Sequence, residues 1–292
     1  MGQTLERLNT PICARSKSGL EIGTANIEAN YTRGSLQEAV LDAIVADGYD
    51  PDDLDPEALA PAEEFHTFGR AGTVALAEAA SITADDWVVD VGSGLGGPAR
   101  YLARAHRCQV VGVDLTQELC DVATDLTRRA GLSDRVEIRQ GDALALPFPD
   151  DSFDVAWTQH VSMNIADKVG FYAEMRRIVR QGGRLAFFDL LSGPEQPIHF
   201  PVPWAEDQAS SALATVGETR DLLADANFEI RLWEDLTADA VAFYASLAAG
   251  PPPNQHLGLH LLIHDMPTKG ANLKRNVEEG RLTLVRCVAD AI

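Results

Sequence analysis

The run Val88-Val89-Asp90-Val91-Gly92-Ser93-Gly94-Leu95-Gly96-Gly97-Pro98-Ala99-Arg100-Tyr101-Leu102 starts rich in valine, breaks into a cluster of glycines and resumes with Ala99, Tyr101, Leu102 and Ala105 at helical spacing. That pattern predicts a buried strand, a tight turn and a helix. Glycines at such a turn admit backbone angles closed to other residues and let a ligand approach the main chain and the helix N-terminus. Gly92, Gly94 and Gly97 fit G-x-G-x-x-G, while Gly92, Gly94 and Gly96 fit a shorter G-x-G-x-G turn, so spacing alone leaves both open. Asp90, two residues before the first glycine, separates the candidate ligands. A carboxylate aimed at this crevice repels a pyrophosphate and suits a ligand that carries an ammonium or sulfonium charge and no phosphate.

S-adenosylmethionine is such a ligand. A second apolar strand, Val110-Val111-Gly112-Val113-Asp114-Leu115, ends in Asp114, placed to accept both hydroxyls of a ribose; capping the following helix is its alternative use. The next strand, Val136 to Arg139, runs into Gly141-Asp142-Ala143, where Asp142 can bond an adenine amino group. Leu146-Pro147-Phe148-Pro149-Asp150-Asp151-Ser152-Phe153 and Gly182-Gly183-Arg184-Leu185 follow in order.

With these motifs in register, residues 66 to 235 resemble the class I S-adenosylmethionine-dependent methyltransferases, in the small-molecule branch similar to sarcosine/dimethylglycine, tocopherol-type and sugar O-methyltransferases. The resemblance implies S-adenosylmethionine as cofactor, held by Asp90, Gly92, Ser93, Gly94, Gly96, Asp114, Leu115, Gly141, Asp142, Ala143 and Gln159. It implies a small amine such as sarcosine or dimethylglycine as acceptor, with O- or C-methylation of an aromatic, quinone or other secondary metabolite as the alternative.

Composition bounds the partners. The 292 residues are 46% hydrophobic and carry a net charge of −20, enough for a full core and strongly repulsive to polyanions. Nucleic acid is therefore not an expected partner, and a small molecule is. Cys13, Cys108, Cys120 and Cys287 are widely spaced and predict reduced thiols with neither a disulfide framework nor a zinc site. With no apolar run of signal-peptide or membrane-spanning length, the expectation is a cytoplasmic monomer or homodimer without membrane insertion.

Strands alternating with helices predict an α/β fold: a doubly wound, mostly parallel, seven-stranded Rossmann-like sheet with an N-terminal helical cap and a C-terminal helical insertion. Residues 1–62 are read as tail and cap and 63–292 as the cofactor-binding domain, with a lid loop at 192–211 and the insertion at 238–280. Asp50 to Ala62, with three prolines among its acids, reads as a solvated connector. Leu282 to Val288 reads as a closing edge strand that pairs antiparallel. His256, His260 and His264 fall on one face of an expected helix from Gln255 to Asp265; over about 12 Å of axis they are too far apart for one ion, so no metal is assigned.

Ligands of such sheets sit beyond the carboxyl ends of the strands. After the fourth strand, Gln159, His160 and Asn164 lie among apolar residues, and His160 is the candidate base for an acceptor that must lose a proton. By resemblance, Tyr31 in the cap and His66 before the next helix face the acceptor. In the proline-rich loop Trp204 and Asp207 are read as further contacts, a ring and a carboxylate suited to a methylated ammonium. A nicotinamide-dependent oxidoreductase would need a Tyr/Lys or His/Asp pair after the later strands, which is not evident; a non-catalytic cofactor-binding protein stays open on the glycine loop alone.

Overall fold

The computed structural model describes residues 31–32, 34–249 and 256–292. The expected tail and the Gly-Pro-Pro-Pro break at 250–253 lie outside them. Among the described residues, strands β1 (Trp87–Val91), β2 (Gln109–Asp114), β3 (Val136–Gln140), β4 (Phe153–Gln159), β5 (Val179–Ser192), β6 (Phe228–Asp235) and β7 (Leu282–Ala291) form one sheet in the order β3-β2-β1-β4-β5-β7-β6. Helices α1 (Leu36–Ala46), α2 (Pro56–Glu63) and α3 (Arg70–Ala80) precede it. Helices α4 (Gly97–His106), α5 (Gln117–Arg129), α6 (Lys168–Ile178) and α7 (Val216–Asp225) link strands, and α8 (Thr237–Ala249) and α9 (Met266–Glu278) lie between β6 and β7. No helix among the described residues is long and apolar enough to cross a membrane.

Alternation along each strand sorts the core into two layers. Val88, Val110 and Trp157 pack with Leu76 of α3 and Leu102 of α4 on one face, while Val89, Val111 and Phe187 pack with Phe171 of α6 and Leu223 of α7 on the other. The chain winds outward through β1, β2 and β3 and returns to β4 beside β1, both pairs parallel. Strand order therefore reverses between β1 and β4, which opens a crevice at their carboxyl ends.

The closing strand is a correction. β7 is antiparallel to both β5 and β6 and lies between them, leaving β6 at the edge. Its residues explain this: Leu282, Leu284 and Val288 are buried on one face and Val285, Cys287 and Ala289 on the other. A strand apolar on both faces belongs inside a sheet. β6, with Glu229, Arg231 and Glu234, is only partly buried.

The expected connector is also more ordered than its prolines suggest. Asp55 accepts a hydrogen bond from the Glu57 N–H at 3.1 Å and Pro56 opens α2, so Asp-Pro serves as helix start rather than breaker. No helix forms over the described part of 255–265. Gly258 is extended, Leu259–Leu261 make a single 3-10 turn and Asp265 is left-handed, so the three histidines share no helix face. Instead Leu257, Leu262 and Ile263 pack on Leu36, Val40 and Ile44 of α1, and Asp47 accepts hydrogen bonds from His256 Nδ1 (2.8 Å) and the Leu257 N–H (2.9 Å).

One ion pair fastens the cap to the glycine turn. Arg100 of α4 is fully buried, donates to the Leu95 carbonyl at 2.7 Å and to Thr127 Oγ1 at 3.1 Å, and pairs with buried Glu63 at the end of α2. Gly97 makes room: a Cβ there would stand 2.7 Å from Glu63 Cγ. Burial pushes the Glu63 carboxyl up while Arg100 and Arg70 hold it down. Arg100→Met leaves that buried carboxylate with only Arg70 Nη2 at 3.6 Å, and should lower unfolding free energy by about 3–5 kcal/mol in denaturant titration, whereas Glu63→Leu/Arg100→Met together should recover most of the loss.

Candidate active site

A cavity of about 390 Å³ fills the crevice between β1 and β4. Every strand on that side delivers a side chain to it from its carboxyl end: Asp90 from β1, Asp114 from β2, Asp142 just after β3, and Gln159 and His160 at the end of β4. Tyr31 and Leu262 close it from the cap and the insertion, and Phe65 and His66 from the segment before α3.

The glycine turn resolves as G-x-G-x-G: Gly92, Gly94 and Gly96 all have positive φ, while Gly97 is already the first residue of α4. Two of these have distinct reasons. At Gly92 a Cβ would lie 2.3 Å from Val161 Cγ2, so the turn abuts the segment after β4. At Gly94 a Cβ would meet nothing within 4 Å, and its N–H donates to Asp114 Oδ2 at 2.9 Å. Asp114 Oδ1 accepts from the Thr116 N–H at 2.9 Å. A carboxylate has about four acceptor sites, so both oxygens keep capacity for a ligand.

Asp90 is 2% exposed and engaged by the Ala99 backbone, yet its Oδ2 has no hydrogen-bond partner among the described residues. Burial, with Glu64 and Asp114 adding like charge, pushes its carboxyl up to about 8. Asp114 is raised by burial against the hydrogen bonds of Thr116 and Gly94. Asp142 Oδ1 accepts from the Leu144 N–H at 2.9 Å, which shapes the loop after β3.

At the opposite end His160 has φ +53, a conformation that costs a non-glycine residue energy and that gathers at functional sites. Its N–H donates to the Phe188 carbonyl at 2.8 Å, and its Nε2 is shielded without a partner among the described residues. Burial, followed by the neighbouring His66, holds this imidazole well below its ordinary range, so it is neutral. His66 lies edge-on to it, ring centres 5.9 Å apart, within a polar network: Nε2 is 2.8 Å from Glu64 Oε2 and 3.0 Å from Gln159 Nε2. Trp157 Nε1 donates to Gln159 Oε1 at 2.9 Å, which fixes the amide. Thr73 donates to Glu64 Oε2 at 2.6 Å.

Comparison with known proteins decides what kind of cavity this is. Residues 89–187, from β1 into β5, match the family model described as a methyltransferase domain. This segment is similar to a methyltransferase domain. Over 171 residues the chain is 36% identical to the methyltransferase GfsG of Streptomyces halstedii, covering 59% of this chain and 58% of that one. Over 166 residues it is 32% identical to a sterol 24-C-methyltransferase of Eremothecium gossypii, covering 55% and 44%. The matched stretch thus spans about half the length of these relatives. A solved geranyl diphosphate methyltransferase, in complex with geranyl diphosphate and sinefungin, shares the fold with a TM-score of 0.69 at 19% identity, over 92% of this chain and 99% of that one.

The cofactor of this methyltransferase class is S-adenosylmethionine. The cavity fits it on observations of its own: an orphaned buried carboxylate for an ammonium, open space over Gly94 and a carboxylate at the end of β2. Asp90, Gly92, Ser93, Gly94, Asp114, Leu115, Gly141, Asp142, Ala143, Gln159, His160, Asn164, Tyr31 and His66 all line this cavity, with Gly96 at the back of the glycine turn.

Two expected contacts are not there. Trp204 is buried in the core and donates to Ser211 Oγ at 3.0 Å, while Asp207 is exposed and caps the turn at 208–210. The 192–211 segment does not arch over the cavity. Ile198, Val202 and Trp204 pack with Leu273 and Val277 of α9, and the His199 N–H donates to Asn276 Oδ1 at 2.7 Å. Glu63, Phe65 and Leu262 line the cavity without having been singled out; the start signal Asp55-Pro56 would have drawn attention to the first.

Asp90 gives a pH test. Its carboxyl loses its proton at about 3.8 in the unfolded chain and near 8 in the folded one. The folded chain binds the extra proton between those values, so this residue's contribution to stability falls as pH rises through the interval. Asp90→Asn should match the parent near pH 4 and become progressively more stable than it toward pH 8, read as unfolding free energy in the absence of ligand.

Proposed function

We propose that this protein transfers a methyl group from S-adenosylmethionine to a small-molecule acceptor bound beside His160. One observation carries the reading: the unpartnered carboxyl oxygen of Asp90, the Asp114 carboxyl and the unpartnered neutral imidazole of His160 all line a single cavity. Asp114 would bind the ribose hydroxyls, and Asp90 the methionine ammonium. The backbone from Gly92 to Gly96 would lie along the methionine chain. Leu115, Asp142 and Ala143 would surround the adenine, and Gln159 would line the junction of donor and acceptor.

S-adenosylmethionine supplies a methyl carbon activated by positive sulfur, whose C–S bond breaks with its electron pair staying on sulfur. The chain's own work is alignment and proton removal. Tyr31, His66 and Asn164 would orient the acceptor so that its lone pair points at the methyl carbon, about 3–3.5 Å away. His160 Nε2 would accept the proton that the acceptor loses as the new bond forms. A hydroxyl and an amine both satisfy this chemistry, and a small amine such as sarcosine is the acceptor the family resemblance suggests.

S-adenosylmethionine and S-adenosylhomocysteine should raise the melting temperature, and NAD or NADP should not; the reverse pattern refutes the proposal. Asp114→Ala should weaken S-adenosylhomocysteine by about 1–3 kcal/mol in calorimetry, the worth of hydrogen bonds to a charged group. For His160→Ala we expect turnover lower by about 10²–10⁴-fold with cofactor affinity kept. Near-normal turnover would assign His160 to packing instead.

A further inference from the structure

We infer that the acceptor carries no anionic group, so that phosphate esters and carboxylated amines, sarcosine included, are excluded. This rests on the methyl-transfer reading and narrows it. Apolar and aromatic side chains share the cavity lining with His160: Val161 next to it in the chain, Leu262, and Tyr31 set edge-on to Phe65 with ring centres 6.1 Å apart. Among the described residues, the lining includes the acids Glu63, Asp90, Asp114, Asp142 and Asp167 and the imidazoles of His160 and His66, the latter 2.8 Å from Glu64 Oε2.

Among the described residues, the neighbouring arginines and lysine are committed elsewhere. Arg70 reaches Glu64 Oε1 at 2.5 Å and Glu57 Oε2 at 3.4 Å, and Arg100 is sealed under the glycine turn with Glu63. Lys168, beside Asp167, directs Nζ to the Ser162 carbonyl. A phosphate or carboxylate entering would lose its water and face acids, and both effects oppose it. The hydrogen bond on offer points the same way. A neutral imidazole brings no positive charge to offset an anion, and in the tautomer that leaves Nε2 unprotonated it accepts from an O–H or N–H, which an ionised phosphate or carboxylate lacks.

The test uses the full chain saturated with S-adenosylhomocysteine and two matched pairs of probes, para-cresol with para-cresyl phosphate and geraniol with geranyl diphosphate. Equilibrium binding is measured by calorimetry or ligand-observed NMR. Each uncharged member should bind at least roughly tenfold more tightly than its phosphorylated partner. Leu262→Lys, which puts an ammonium into the acceptor wall, should shrink or reverse that ratio. The inference is overturned if the phosphorylated member binds equally or better, if neither member of either pair binds at millimolar concentration, or if Leu262→Lys leaves the ratio unchanged. Failure of S-adenosylhomocysteine itself to bind would instead refute the methyl-transfer reading, so the two failures are distinguishable.

Discussion

Everything at the carboxyl edge of the sheet depends on the buried pairing of Glu63 with Arg100. Two charges taken from water must satisfy each other, and here they do so across the gap between the cap and the first helix after the glycine turn. Arg100 also holds the Leu95 carbonyl, so the same guanidinium that anchors α2 sets the shape of the turn. Gly97 is glycine because the Glu63 side chain occupies the space a Cβ would need. Cap and turn are thus one unit, and Tyr31, Phe65 and Leu262 reach the cavity because that unit is closed.

Burial then tunes each ionisable group in the direction its place demands. Asp90 and Asp114 are starved of water and raised, which readies both for hydrogen-bonding or cationic partners. His160 is starved in the same way and lowered, which leaves a neutral lone pair. Glu64 is the exception: burial would raise it, but hydrogen bonds and charge from His66, with help from Arg70, outweigh that and keep it ionised.

Much of this was legible in the chain alone, for identifiable reasons. Strand-end residues such as Asp90, Asp114 and His160 could be placed because a parallel sheet puts its ligands at the carboxyl ends, whatever the loops do. The misreadings came where local signals had two physical meanings. Pro56 after Asp55 starts a helix as readily as it breaks one. The continuous apolar run of β7 was read as an edge although both of its faces needed burial. Trp204, set among prolines, looked like a lid ring, but the cavity-free side of the sheet needed a large apolar residue against α9, and nothing in the local sequence shows which side a long loop will take. The packing of Leu262 on α1 depends on contacts more than two hundred residues apart in sequence, beyond the reach of periodicity.

The contact between Gly92 and Val161 has a further consequence. The first and fourth strands deliver their loops so close together that hydrogen is the only side chain tolerated at 92 while a branched residue stands at 161. Those two loops form a matched pair, and the fit between them sets where His160 stands relative to the glycine turn. A chimera that took only one of them from a relative would inherit either a clash or a void at this joint. Recombination between relatives is therefore expected to move the two segments together, with change confined to the surrounding walls.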